Sequence, residues 1–294
     1  MPSTGDPLQG AVDLLREGGI LALQGVGGFQ LLVLAGNQGA VARLRRRKRR
    51  PGKPFALLVE RLDGLERLVQ LNAAERQALN DPAAPIVLLR RRSDGAEPLT
   101  GVAPGSPCLG VMLPASPLHR LLARAVGAPL VCTSGNRSGE PLCIDPGEAL
   151  QRLEGIADGV LHHDRPIARP LDDSLLQLVR GRPSLLRRAR GYAPQPIPLP
   201  APRPAADAPA VLALGGDLKA APALALGSQV WMAAHQGDLA DARSLRRWQA
   251  GLMDLRRRLP SSLQLVCDGH PGYLSHQVAS AFEDQPATVP HHLA

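Results

Sequence analysis

Aromatic side chains are scarce in this sequence: three Phe, two Trp and two Tyr in 294 residues. Any core must therefore be built from Leu, Val, Ala and Ile, and a surface that stacks successive nucleic-acid bases has few platforms to use. The four cysteines, Cys108, Cys132, Cys143 and Cys267, form no C-x-x-C pair. That argues against a zinc ribbon or a disulfide framework and for buried thiols. No run approaches the roughly 20 apolar residues of a membrane span. The N-terminus, MPSTGDPLQGAVDLLREGG, lacks the basic-then-apolar order of a signal peptide and reads as an amphipathic helix from about Leu8. The expected location is the cytoplasm.

What is present is enough for a folded enzyme-sized chain. Hydrophobic residues make up 44% and charged residues 20%, outside the range of disordered chains. The net charge is +8. Residues 43–53, RLRRRKRRPGK, hold eight basic side chains and no acid, as many charges as the whole net excess. Charge focused in this way favours a local anionic ligand over a uniformly basic surface.

The hydrophobic pattern alternates between short strands and helices. A helix at 8–17 precedes strand ILALQ, a GVGG turn and a second strand, FQLLVLAG. Asn37 caps a helix over 38–50, followed by strand PFALLV, helices around 62–80 and strand PIVLLRR. LGVML and PLVCTS are strands on either side of helix PLHRLLARAV; GVLHH, SLLQLV and SLLRRAR read as closing strands. The fold class is α/β. The Pro/Ala-rich stretch 193–210 reads as an extended linker between a domain at 1–192 and further strands and a helix at 211–294.

Three segments carry candidate chemistry. A basic helix end would suit the helix dipole, but here two prolines turn the run straight into a buried strand. Lys48, Arg50 and Lys53 then sit at an element junction and can converge on a polyphosphate, while Arg43, further back, is expected to face solvent. Nucleic acid is the competing ligand for 43–53. In TSGNRSGEP, Ser134 and Asn136 follow a buried strand and can donate to phosphate or ribose oxygens; the bland alternative is a polar turn. In HHDRPIARPLDDS and RRARGYAP, Asp172 and Asp173 form either ion pairs or a Mg²⁺-handling site, and Arg188 joins the phosphate-binding candidates.

The blocks GGILALQGVGGFQ, RLRRRKRRPGKPFALLV, SPCLGVMLPASPLHRLL, TSGNRSGEP, DRPI with DDS, and RRARGYAPQPI occur in one order. Together they resemble the YrdC-like domain of the HypF family, carbamoyltransferases of NiFe-hydrogenase maturation. Past the linker, LALGGDLKAAPALALGSQVWMAAHQGDL and CDGHPGYLS resemble the start of that family's actin/Hsp70-like (RNase H-like) domain. The resemblance implies a twisted mixed sheet with flanking helices. It also implies ATP and Mg²⁺ as cofactors, activation of carbamate to carbamoyl-adenylate, and transfer to the C-terminal cysteine of HypE. The family's K-x-R element falls on Lys48 and Arg50 and its S-x-N element on Ser134 and Asn136. Threonylcarbamoyl-adenylate synthases share the first domain and are the alternative, as is a non-catalytic RNA-binding module.

Departures from the family pattern set further expectations. Gln30 stands where the family usually has His, and Leu34 where it has Asp. The acylphosphatase-like domain and Cys-rich zinc modules are not in this sequence, which suggests a fragment, a split gene or a degenerate copy. VPHHLA resembles the beginning of a His motif for Zn²⁺ or Fe, with His291 as one ligand of an incomplete site. The chain as given is thus expected to make carbamoyl-adenylate, from carbamate or carbamoyl phosphate supplied elsewhere, without passing the group to HypE.

Overall fold

The computed structural model describes residues 5–92, 99–200, 209–256, 263–279 and 287–289. His291 lies outside them. The chain divides between Gly191 and Tyr192 into two compact units, with Gly139–Pro141 grouped with the second.

The first helix, α1 (Pro7–Arg16), starts where Asp6 accepts a bond from the Leu8 amide and Pro7 takes the first helical position. Ala11, Val12 and Leu15 form its buried stripe. Strands β1 (Leu21–Gln24) and β2 (Phe29–Leu34) pair antiparallel around the GVGG turn. Two of that turn's glycines are needed for close approach. A Cβ on Gly27 would strike the Leu171 carbonyl, and one on Gly28 the Leu142 side chain.

Asn37 caps α2 (Gln38–Lys48), its side chain accepting from the Ala40 amide at 2.9 Å. The helix ends two residues before the sequence-expected limit of 50, because Arg49 adopts the left-handed conformation with φ 52°. Ala40, Val41, Leu44 and Lys48 are its buried residues. The basic run is therefore a helix whose core face ends in a lysine.

After β3 (Ala56–Leu58) come α3 (Ala73–Leu79), β4 (Ile86–Arg90), β5 (Cys108–Met112), α4 (Pro117–Val126) and β6 (Leu130–Ser134). Then follow α5 (Pro146–Arg152), which the sequence pattern does not reveal, and β7 (Gly159–Leu161), β8 (Leu175–Val179) and β9 (Arg182–Arg187). The nine strands form one mixed sheet in the order β7-β1-β2-β6-β3-β5-β4-β8-β9. Helices α1 and α4 bury Val12, Leu15, Leu122 and Val126 against Leu23, Leu32, Leu58 and Leu130 of the sheet. Leu34, at the position where the family resemblance leads one to expect Asp, packs at the edge of this core. Helix α2 lies against β2.

In the second unit, Ile197–Pro198 form a two-residue edge strand, β10, inside the stretch read from sequence as linker. An edge is where a proline can join a sheet without a missing ladder bond. β11 (Ala210–Ala213), β12 (Ala223–Leu226) and β13 (Gln229–Met232) form an antiparallel meander. α6 (Ala242–Arg256), β14 (Leu263–Asp268), α7 (Leu274–Ala279) and β15 (Ala287–Val289) follow. The sheet order is β10-β13-β12-β11-β14-β15, with β11, β14 and β15 parallel. Leaving β10 aside, this is the RNase H-like arrangement. Trp248 of α6 is fully buried in the core and donates its indole N–H to the Leu214 carbonyl at 3.0 Å.

The close approach at the GVGG turn gives a direct test. Gly27→Ala is expected to lower stability by about 1–3 kcal/mol, because the new Cβ meets backbone that cannot yield cheaply. Gly52→Ala, with nothing within 4 Å of the added carbon, should leave the unfolding midpoint nearly unchanged. Thermal unfolding of both variants checks the contrast, and equal midpoints would refute it.

Candidate functional site

The helical period places Lys48 one turn beyond Leu44, on the core face of α2. Its side chain is 3% exposed. The ammonium donates to the Ser134 carbonyl, to the Asn136 carbonyl at 2.7 Å and to Asn136 Oδ1 at 2.8 Å. Ser134 Oγ donates to the same Oδ1 at 2.6 Å. Three protein acceptors thus surround one buried ammonium. Burial, and second the positive charge of Arg50, pull the Lys48 pKa down to about 7. Lys48, Ser134 and Asn136 come together as the sequence reading expects.

Arg50 is half-buried beside this cluster. Its guanidinium lies 5.4 Å from the centre of the Phe55 ring and donates to the Pro54 carbonyl at 2.8 Å. Burial, with Arg45 and Arg187 adding, lowers its pKa to about 10. Lys53 is exposed. The expectation that Arg43 faces solvent fails: it is half-buried and donates to the Gly18 carbonyl. Arg47 likewise binds the Ile156 carbonyl at 3.1 Å and forms an ion pair with Asp158. Much of the basic run therefore serves the fold.

On the other side of Ser134 opens a small cleft, bounded by Gly27, Gly28, Gln30, His119, Asp172 and Arg190 among others. A line of hydrogen bonds runs along its wall. Arg190 donates to Asp173 Oδ1 at 2.8 Å, and Gln30 Nε2 donates to Asp173 Oδ2 at 2.7 Å. The amide orientation this imposes leaves Gln30 Oε1 facing His119 Nε2 at 2.6 Å. An amide oxygen only accepts, so His119 carries its proton on Nε2, and Nδ1 accepts from the Ser116 hydroxyl at 2.7 Å. Burial drives the His119 pKa down to about 4, so the ring is neutral near pH 7.

Both oxygens of Asp173 thus accept a hydrogen bond, and the carboxylate forms an ion pair with Arg190. Among the described residues no group of three or more His, Cys, Asp or Glu side chains is placed to hold a metal ion. Asp172 lines the cleft and accepts from the Arg190 amide through its carbonyl at 3.0 Å. Arg190, 8% exposed, lines the cleft. The register explains this. Ser174 Oγ bonds both the Ala189 amide and the Arg190 carbonyl, which zips 172–174 to 189–190 and turns the Arg190 side chain inward. His119 and Arg190 are the residues that sequence reasoning missed. Both lie inside the quoted blocks, but neither carries a local pattern that separates it from its neighbours.

His119 makes stability depend on pH in a defined sense. The unfolded histidine titrates near 6.5 and the folded one near 4, so its contribution is complete above about 6.5 and is lost as pH falls toward 4. The stability difference between wild type and His119→Asn should therefore shrink by on the order of 3 kcal/mol over that interval. Denaturant melts at pH 7.5 and 4.5 measure it, and a difference independent of pH would contradict the buried neutral ring.

Comparison with known proteins agrees with this geometry. The Sua5/YciO/YrdC family model, described as telomere recombination, matches residues 13–189, and the HypF Kae1-like domain model matches 206–294. The carbamoyltransferase HypF of Synechocystis sp. is 44% identical over 290 residues, 98% of this chain and 37% of that relative. A threonylcarbamoyl-AMP synthase of Stenotrophomonas maltophilia is 33% identical over 184 residues, 58% of this chain and 97% of that protein. The crystal structure of full-length HypF in its phosphate- and nucleotide-bound form superposes with a TM-score of 0.91 at 36% identity, covering 99% of this chain and 38% of that one. The chain spans well under two thirds of the length of its HypF relatives. Its K-x-R and S-x-N side chains gather at one sheet end and an RNase H-like sheet follows: the chain belongs to the Sua5/YciO/YrdC family, carried here with a HypF Kae1-like domain as in the HypF carbamoyltransferases.

Proposed function

We propose that the first unit binds ATP and activates carbamate as carbamoyl-adenylate, the first half of a HypF-type carbamoyl transfer. The observation that carries this reading is the buried Lys48 ammonium, joined to Ser134 and Asn136 and flanked by Arg50, at the end of β6 and beside the cleft. A carbamate oxygen attacks the α-phosphorus of ATP. The new P–O bond forms as the bond to the β-phosphate bridging oxygen breaks, and pyrophosphate leaves with the electron pair. Such a step needs neutralised phosphate oxygens and fixed geometry more than a protein nucleophile. Lys48 and Arg50 supply the charge, and Ser134 and Asn136 fix the turn that holds them. Mg²⁺ would arrive with the phosphates as part of the substrate. The HypF structure described as phosphate- and nucleotide-bound supports a nucleotide reading.

The acceptor of the carbamoyl group is proposed to be the HypE C-terminal cysteine, and the site of action the cytoplasm. A Zn²⁺ or Fe ion belongs to the second domain's chemistry in this proposal, and no step is assigned to it. Threonylcarbamoyl-adenylate synthesis is disfavoured because the chain continues into a HypF Kae1-like domain. RNA binding through 43–53 is disfavoured because Arg43, Arg45 and Arg47 are spent on backbone carbonyls.

Lys48→Ala and Arg50→Ala are each expected to weaken ATP binding by roughly 10- to 150-fold, the worth of a charge-assisted phosphate contact. Calorimetry gives the affinities, and pyrophosphate–ATP exchange with carbamate supplied gives the activity. Wild-type exchange that requires threonine instead would overturn the substrate. Binding should also be proton-linked. Because the Lys48 pKa is about 7 without ligand, affinity should be flat below that pH and fall by up to about tenfold per unit above it. An affinity constant between pH 6.5 and 8.5 would exclude Lys48 as the phosphate contact.

A further inference from the structure

Arg45 stands outside the K-x-R pair, yet it has the densest set of backbone contacts in the basic run. Its Nε donates to the Gly101 carbonyl at 2.7 Å and its NH2 to the Val102 carbonyl at 3.0 Å. NH1 reaches the carbonyls of Arg50 at 2.9 Å, Lys53 at 3.0 Å and Pro51 at 3.3 Å. The guanidinium carbon lies 4.2 Å from the centre of the Phe55 ring. Every nitrogen of the fork is thus engaged by backbone, and its flat face by an aromatic ring.

These bonds converge on one short segment. Residues 49–54 leave α2 through a left-handed Arg49 and enter β3 after Pro54, with no strand ladder of their own. Helix propensity cannot hold such a segment, and Gly52 loosens it further. Arg45 binds three of its carbonyls from one side while tying the helix to 101–102. The Arg50 side chain is in turn braced on that segment: it donates to the Pro54 carbonyl at 2.8 Å and lies 5.4 Å from the centre of the Phe55 ring.

We propose that Arg45 is a positioning residue for the nucleotide site: it sets the path of 50–53 and thereby the direction in which Arg50 meets phosphate, without touching the ligand itself. This rests on the nucleotide reading above. A lysine cannot replace it, because a point ammonium has neither the fork that reaches 101–102 and 50–53 together nor the planar face.

The test is a double-mutant cycle in the full chain. ATP affinity is measured by calorimetry for wild type, Arg45→Lys, Arg50→Ala and the double variant, with Arg46→Ala, an exposed neighbour, as control. Arg45→Lys alone should weaken binding about 10-fold, and the double variant should bind no more weakly than Arg50→Ala alone, because Arg45 acts through Arg50. Additive losses would make Arg45 a direct contact, and an unchanged affinity for Arg45→Lys would leave it no role; either overturns the proposal. If Arg45→Lys fails to fold, Phe55→Leu removes the shared ring and must show the same non-additivity with Arg50→Ala. Amide hydrogen exchange of 49–55 separates this inference from the nucleotide reading. Faster exchange there in Arg45→Lys, but not in Arg46→Ala, is expected whether or not ATP binds. Unchanged exchange would refute the positioning role even if wild type binds ATP, and a wild type that does not bind ATP would refute the nucleotide reading instead.

Discussion

One buried ammonium organises the first unit. Lys48 occupies the last core position of α2, where a leucine would satisfy the helix stripe at no electrostatic cost. Taking a charge out of water costs several kcal/mol unless it is fully solvated by the protein. The solvation comes from Ser134 and Asn136, at the end of a strand that pairs with β2 and β3. Helix end, strand end and turn must therefore be placed together. A cluster held in this way by the core has a fixed geometry of its own.

The surrounding charge is less repulsive than the sequence suggests. Arg43, Arg45 and Arg47 each direct their guanidinium into backbone carbonyls, and Arg47 adds the carboxylate of Asp158. Carbonyl dipoles absorb cationic charge without introducing acids that would compete with an anionic ligand. The net positive potential at the junction is thus retained while the individual side chains are immobilised.

The cleft wall follows a different principle. Its polar groups form a line in which each partner fixes the next, from Arg190 through Asp173, Gln30 and His119 to Ser116. Only its two ends are set by fixed chemistry, the permanently charged guanidinium at one and a helix N-cap serine at the other. With the ends set, the amide orientation and histidine tautomer between them are determined. The bare glycine turn at 27–28 lets the backbone of 171 and the side chain of Leu142 close against this wall.

The α/β class, most strands and helices and the change of unit near 192 are legible in the sequence, and the family resemblance puts Lys48, Ser134 and Asn136 in one site. The elements follow from local information: hydrophobic period, a capping residue such as Asn37, and charge density next to a buried strand. Only the folded chain shows that Arg43, Arg45 and Arg47 turn their guanidinium groups into distant backbone carbonyls, where the sequence led one to expect Arg43 in solvent. The fold also turned Arg190 into the cleft wall, paired Asp173 with Arg190 and drew Ile197–Pro198 into a sheet. In each case the partner lies far along the chain or is a backbone carbonyl. Neither leaves a mark in the local sequence, because a carbonyl is the same at every residue and a distant pairing has no period.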